Sequence, residues 1–427
     1  MNQNRNISMN SLSEEQKSHL NKIISMSPGS VQYITGSAGT GKSTLLHAVQ
    51  DYDDRTIVVA PTGVSALRAR GQTIHSFFGL QINSLEAKMN SESRYALSCA
   101  KRLVIDEVSM VRADLMQTIN DTCQKVLKNK KPFGGLSVIL FGDLNQIEPV
   151  ARENDFATVL KGYDSHFFFD APCIKEIEPI EVLLLTTIYR QKNDLEYIEA
   201  LEALKVGRTD KLDIFNKRVN VPDDETIRIC YTNRRVSEIN DYKLKHIEGK
   251  LYSSTCEVTG DFSESEYPAD AKFLFKVGCR VMLLVNNKTP ENNFVNGDLG
   301  EIVDIVQGAV LVKLDRSDDV VSVEKNIWDK IKYEVNGDGK VKAKVCGTFK
   351  QLPMRLAYAT SVHKVQGTTF HDKVHLELES QTFAHGLLYV ALSRATKLEN
   401  LSLGRRIHDK DIIINDRVST WCAGYDI

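Results

Sequence analysis

Short runs of β-branched and other apolar residues alternate along this chain with longer amphipathic segments of helical spacing. Ser13-Glu14-Glu15-Gln16 has the form of a capping box and predicts a helix to about Met26. Val31–Thr35, Ile57–Ala60, Leu103–Ile105 and Val138–Phe141 then read as strands separated by helical segments, the rhythm of a parallel sheet with crossover helices. A second set follows at Glu181–Leu185, Ile227–Cys230, Arg355–Thr360, Val374–Leu378 and Leu401–Leu403. Between Gly249 and Lys350 the texture changes to short alternating strands, among them Arg280–Val285, Gly300–Val306 and Val310–Leu314. Asn296-Gly297 and Gly337-Asp338-Gly339 supply turns there. The pattern predicts an α/β protein of two sheet domains, with a small antiparallel β domain inserted in the second and a short polar insertion at 81–100 in the first.

Composition narrows this picture without changing it. The chain of 427 residues is long enough for two or more cores, and 42% hydrophobic with 26% charged residues is ordinary for a soluble globular protein. No apolar run reaches membrane-spanning length, so no membrane partner is expected. The polar start Met1-Asn2-Gln3-Asn4-Arg5-Asn6 lacks a leader pattern, and the eight cysteines include no C-x-x-C pair. A cytoplasmic location with reduced thiols, in a prokaryote or a viral host cell, is the expectation. Net charge is −2, so any contact with nucleic acid must come from local groups rather than a global field. Arg68/Arg70, Lys125–Lys131, Arg234/Arg235 and Arg405/Arg406 are basic clusters that, taken singly, read as solvated surface.

The chemistry concentrates at strand ends. Gly36-Ser37-Ala38-Gly39-Thr40-Gly41-Lys42-Ser43 spells G-x-x-x-x-G-K-S between an apolar strand and a helix start. That context makes a nest of backbone N–H groups that wraps two phosphates, with Lys42 reaching the β- and γ-phosphates and Ser43 placed for Mg²⁺. Binding and hydrolysis of a nucleoside triphosphate are therefore expected. Leu103-Val104-Ile105-Asp106-Glu107 ends its strand in two carboxylates: Asp106 to complete the Mg²⁺ shell and Glu107 to polarise the attacking water. Gln146, after Phe141-Gly142-Asp143, is placed to sense the γ-phosphate. Arg190 and Arg394 are each, in isolation, read by default as helix-surface residues.

Taken together these stretches resemble the superfamily-one helicases, and more narrowly the petite integration frequency, or PIF-type, branch, with RecD and Dda helicases as near relatives. The resemblance runs through nearly the whole chain. Leu12–Gln16 is similar to the adenine-contacting glutamine motif and Gly36–Ser43 to the first helicase motif. Ala60–Leu67 with Gly71–Gly79 matches the DNA-contacting motif, and Asp106–Met110 the second motif. Met110–Asn129 with Pro132-Phe133-Gly134-Gly135 resembles the stretch that separates PIF-type from RecD proteins. Gly142–Pro149, Thr187–Gln191, Ser361–Thr369 and Val390–Thr396 correspond to motifs three to six. Glu148 departs from the pattern, standing where relatives often carry leucine or proline.

The resemblance implies two RecA-like domains with ATP between them: residues 1–178 as the first, 179–248 with 351–427 as the second, and 249–350 as a β-barrel-like, SH3-like insert. It implies catalytic roles for Lys42, Glu107, Gln146, Arg190 and Arg394, and nucleotide contacts from Gln16, Gly36, Ala38, Gly39, Thr40, Gly41, Lys42, Ser43, Thr44, Gln366 and Gly367. Ser43 and Asp106 would hold Mg²⁺. Thr62, Thr73, His75, Phe77, Thr360, His363 and Lys364 would contact the strand, with His75 or Phe77 stacking on a base. A core role for His75 is the competing reading. The implied activity is an ATP- and Mg²⁺-dependent helicase moving 5′ to 3′ on single-stranded DNA. It would open duplexes with 5′ tails, forks, D-loops or G-quadruplexes, with 81–100 as the wedge. A monomer that pairs on DNA is the implied assembly. A RecD- or Dda-type helicase, or a strand-stimulated ATPase switch without unwinding, are the alternatives.

Overall fold

The computed structural model describes residues 11–80, 87–151, 155, 158–192, 194–224, 226–289, 292–306, 308–338, 340–378 and 382–427. Its first sheet has the spatial order β3-β2-β4-β5-β1-β6, all parallel. The strands are β1 (Val31–Gly36), β2 (Thr56–Ala60), β3 (Gln72–Thr73), β4 (Arg102–Ile105), β5 (Ser137–Phe141) and β6 (Glu181–Leu185). β1, β2, β4 and β5 are buried at every position, because helices cover both faces. The helices Glu14–Ser25 and Lys42–Tyr52 enclose the core of Leu20, Ile23, Leu45 and Val49 with Ile34 and Phe141. Tyr33, Leu103 and Val138 meet the helix Ala113–Leu127 on the opposite face.

A second parallel sheet runs in the order Ala359–Ser361, Ile227–Cys230, Val374–Leu376, Leu401–Leu403. The helices Leu195–Lys205 and Leu387–Leu392 complete its core through Tyr197, Leu201 and Val390. Two parallel-sheet α/β units of this kind are RecA-like. Inserted in sequence within the second unit, between Ile227–Cys230 and Ala359–Ser361, lies the β region. Its main sheet is five-stranded and antiparallel, in the order Val320–Val323, Ala309–Leu314, Leu299–Val306, Arg280–Leu283, Met354–Leu356. No pairing among the described residues closes that sheet into a barrel.

The structure redraws four expected boundaries. Glu181–Leu185 joins the first sheet, pairing with β1 from Gln32↔Glu181 to Gly36↔Leu185, so the first unit runs past residue 178. The expected strand Arg355–Thr360 divides: Met354–Leu356 belongs to the β region and Ala359–Ser361 to the second sheet. The long hairpin Asn326–Val335/Val341–Gln351 leaves the β region and packs Tyr333 and Val341 into the first unit's core. Tyr333 accepts the Val58 N–H at 2.9 Å, and Lys332 pairs with Glu92 at 2.7 Å. The helix Asp416–Ala423 also returns to the first unit. Trp421 stacks on Phe169 with centroids 5.0 Å apart and meets Tyr33 edge-on at 5.5 Å.

Within the expected wedge, residues 81–86 lie outside the described residues. The remainder is less polar in function than its composition predicts. Met89 and the helix Ser91–Cys99, through Ala96 and Leu97, are part of the first unit's core. Phe77 is likewise fully buried, edge-on to Phe78 at 5.0 Å and to Tyr333 at 5.9 Å. It is a core residue, and base stacking is not open to it. Phe77→Ala is therefore expected to cost about 3–5 kcal/mol of stability, read as a lower denaturation midpoint. Selective loss of strand affinity at unchanged stability would contradict this placement.

Candidate active site

A cleft of about 690 Å³ opens where the carboxyl ends of β1, β4 and β5 face the second unit. Its floor is the glycine-rich turn after β1. Gly39 and Gly41 hold φ of +89° and +85°, and the helix Lys42–Tyr52 begins directly behind them. Ala38, Thr40, Ser43 and Thr44 line the cleft beside them. Lys42 donates to the Gly36 carbonyl at 2.6 Å and to that of Ser37 at 3.2 Å. Burial pushes its pKa down, while Asp143 and Glu107 act in the opposite direction. Gly36 thus touches the site through its carbonyl rather than as a wall of the cleft. At the far end the capping box forms as expected: Gln16 N–H donates to Ser13 Oγ at 3.2 Å. The Gln16 side chain accepts from Ser13 through Oε1 and turns Nε2 to the Gly41 carbonyl at 3.3 Å.

Asp106 and Glu107 project from the end of β4 into the same space, Glu107 from a left-handed backbone with φ of +50°. Burial, with Glu107 alongside, pushes the Asp106 carboxyl up to about 7. A desolvated carboxylate with a second one beside it, and the Ser43 hydroxyl on the same cleft, is an all-oxygen donor set that fits Mg²⁺. No cluster of three or more metal-binding side chains occurs among the described residues. Two protein ligands suffice where phosphates and water complete the shell. Gln146 is buried and donates to Asp143 at 2.9 Å. Gln366, from the second unit, donates to Glu107 Oε2 at 3.2 Å and to Gln146 Oε1 at 3.4 Å.

The opposite wall carries Arg190 and Arg394. Arg190 donates to Thr369 Oγ1 at 2.8 Å and to the Ser393 carbonyl at 3.1 Å. Arg394 donates to the Val390, Val365 and Thr368 carbonyls and to Ser393 Oγ. Neither pairs with a carboxylate among the described residues. Burial draws Arg190 down to about 10, and burial with Arg190 nearby draws Arg394 down to about 9. Two desolvated guanidiniums facing a lysine-bearing phosphate turn make a site for a polyanion.

All five expected catalytic residues therefore share one environment, as do the expected nucleotide contacts except Gly36 and Gln366, which act from just behind it. Further residues line the cleft that the sequence alone did not single out, among them Tyr189, His371 and Arg68. Tyr189, 42% exposed beside Gly41, was visible only as the neighbour of Arg190. His371 carried no motif. Arg68 read as one of a surface basic pair, and its helix, Gly63–Arg68, aims it inward.

The strand residues sort differently. His75, His363 and Lys364 are exposed, which removes the core reading of His75. Desolvation lowers both histidines, His75 also through Arg112, so near neutral pH they offer hydrogen bonds rather than charge. Thr62, exposed, and Thr73, half-buried, are N-caps, accepting from the Ser65 and Ser76 N–H groups at 3.2 Å. Thr360 is sealed in the second sheet, so its side chain, like that of Phe77, is no strand contact in this arrangement.

The raised Asp106 carboxyl has a measurable consequence. The folded chain holds this proton to about pH 7, whereas the unfolded chain releases it near the ordinary value of 3.8. Stability from this group is present at low pH and lost as pH rises through that window. In divalent-free buffer, Asp106→Asn should raise the thermal midpoint more at about pH 8 than at about pH 5. An equal change at both would contradict the assignment.

Comparison with known proteins agrees with this geometry. The family model of PIF1-like helicases matches residues 11–210. Human ATP-dependent DNA helicase PIF1 is 31% identical over 414 residues, covering 91% of this chain and 60% of that one. The chain thus spans about 60% of the length of the vertebrate relatives it matches. ATP-dependent DNA helicase Pif1 of Bdellovibrio bacteriovorus is 30% identical over 411 residues, covering 92% of this chain and 87% of that one. The crystal structure of Bacteroides sp Pif1 in complex with ADP-AlF4 superposes with a TM-score of 0.89 at 32% identity over 97% of both chains. The same Bacteroides protein bound to ssDNA gives 0.68 over the same coverage. By its fold, its cleft and these relatives, the chain belongs to the PIF1-like helicase family.

Proposed function

We propose that this chain is an ATP-dependent DNA helicase that translocates 5′ to 3′ on single-stranded DNA and opens duplexes from a 5′ tail. The observation that carries the reading is the split of the cleft. Lys42, Glu107 and Gln146 come from one sheet unit, while Arg190 and Arg394, without carboxylate partners among the described residues, come from the other. ATP fills this space with its base toward Gln16 and Tyr189 and its phosphates in the turn Gly39–Ser43. Ser43 and Asp106 would hold Mg²⁺, which would supply positive charge against the bound phosphates. Glu107 orients the attacking water, and Lys42, Arg190 and Arg394 stabilise the charge that develops on the transferred group. Gln146 and Gln366 report the γ-phosphate across the interface. Loss of that group removes the shared ligand of the two units, the basis for alternating grip on a strand.

His75 on one unit, His363 and Lys364 on the other, and Thr62 and Thr73 at helix starts are the backbone contacts of the strand in this reading. Such donors suit sequence-independent binding. Residues 81–100 serve as the wedge and the β region as a guide.

Duplexes carrying only a 5′ or only a 3′ single-stranded tail test the direction: opening of the 5′-tailed duplex alone is expected, and opening from a 3′ tail alone would overturn it. Strand-stimulated ATPase with neither duplex opened would leave an ATPase switch. Glu107→Gln should retain nucleotide affinity and stop turnover, and Arg394→Ala should lower strand-stimulated kcat by about 10³-fold with strand binding kept. A near-parental rate in either variant would remove that residue from the site.

A further inference from the structure

Arg68 closes the helix Gly63–Arg68, whose N-cap is Thr62. Its guanidinium reaches both sheet units. Nη2 lies 3.4 Å from Glu107 Oε1, and Nη1 donates to the Gln366 carbonyl at 3.1 Å. Gln366 returns a bond from Nε2 to Glu107 Oε2 at 3.2 Å. Arg68, Glu107 and Gln366 therefore form a closed ring, and both oxygens of the carboxylate are engaged by donors. The seat is shaped for this guanidinium: a Cβ on Gly367, whose φ is +76°, would fall 1.7 Å from Arg68 Nη1. Any larger residue at 367 would evict it.

We propose that Arg68 is a positioning residue that ties Glu107 down when no strand is bound and releases it when a strand seats at Thr62. The proposal rests on the role given to Glu107 above. A carboxylate bonded to a side chain at each oxygen is oriented by those two donors, and not by a water in line with the γ-phosphate. The tie spans the steps that must be coupled, because one helix of six residues, about 9 Å long, joins the strand-side cap to the cleft. On its outer side that helix is hemmed in: a Cβ on Gly63 would fall 2.7 Å from Glu266 Cα of the β region. In this proposal a strand seated at Thr62 moves the helix, and Arg68 at its other end moves with it. Arg68 contributes no proton and no bond to the reaction; it holds Glu107 in place.

The test is steady-state ATPase of the full chain with Mg²⁺, with and without a thymidine homopolymer strand, for the parent, Arg68→Ala and Arg68→Gln. Strand-free kcat is expected to rise about tenfold, the rate equivalent of one charge-assisted hydrogen bond, with KM for ATP unchanged. Strand-saturated kcat should stay within about twofold of the parent, so the stimulation ratio falls. Misfolding lowers every rate and cannot produce a gain in the strand-free one. A parallel fall of both rates would make Arg68 a nucleotide contact, and unchanged rates would make it a surface cation; either overturns the proposal. Glu107→Gln alone separates the two levels: persistent hydrolysis there means the role of Glu107 has failed. A dead Glu107→Gln with an unchanged ratio in both Arg68 variants means that only the tie has failed.

Discussion

The close seating of the second unit on the phosphate turn is the constraint on which the rest of the molecule depends. A Cβ on Gly39 would fall 2.6 Å from Arg190 Cβ, so only glycine lets the arginine wall approach the turn. Around that contact the Tyr189 N–H donates to the Gly39 carbonyl at 2.9 Å, and the Ala38 N–H to the Tyr389 hydroxyl at 3.1 Å. Ser37 donates to Glu202 at 2.6 Å. The spacing of the glycine-rich motif therefore answers two demands at once. Gly39 and Gly41 turn the backbone toward a phosphate, and Gly39 also clears the approach of the arginine that faces that phosphate.

That seating has an electrostatic cost, and the way it is met defines the chemistry. Arg190 and Arg394 lose solvent, yet their donors end on Thr369, Ser393 and main-chain carbonyls rather than on carboxylates. Carbonyls satisfy hydrogen bonds without cancelling charge. Across the cleft Asp106 and Glu107 stand side by side, and burial, with Glu107 alongside, keeps the proton on Asp106 although Arg68 and Lys42 act against it. The cleft is thus polarised before anything enters it. A polyphosphate with a divalent cation satisfies both walls, and oriented charge of this kind needs no rearrangement at the moment of reaction.

What was legible in the sequence is what local chemistry encodes. The capping box at Ser13, the strand–turn–helix around Lys42 and the carboxylates after Ile105 each depend on residues a few positions apart. They fall where the pattern placed them. The misreadings share a different cause. Glu181–Leu185 has the composition of a buried strand, but nothing in five residues says which of two sheets it joins; pairing with β1 decides that. Phe77 could be read as a stacking ring or as a core ring, and the choice is made by Tyr333, 256 positions away (333 − 77). Arg68 looked like solvated charge because its contacts, Glu107 and Gln366, are likewise distant in sequence. Long-range contacts, rather than weak local signals, mark the limit of the sequence reading.

The distribution of polarity over the interface explains how one molecule can be both coherent and responsive. Away from the cleft, segments that leave the second half of the chain are bound to the first unit by apolar packing. Tyr333 and Val341 do this from the hairpin, and Trp421 with Val418 and Cys422 from the last helix. Deep aromatic burial of this kind is costly to undo. At the cleft the contacts are hydrogen bonds to carbonyls, hydroxyls and amides, each worth about 1 kcal/mol net, because an alternative partner is always close. Phosphate oxygens are such partners. Ligand binding there can exchange one set of polar bonds for another at small net cost, while the apolar straps keep the two units within reach of each other. The chemistry is thereby confined to the part of the interface that is cheapest to rearrange.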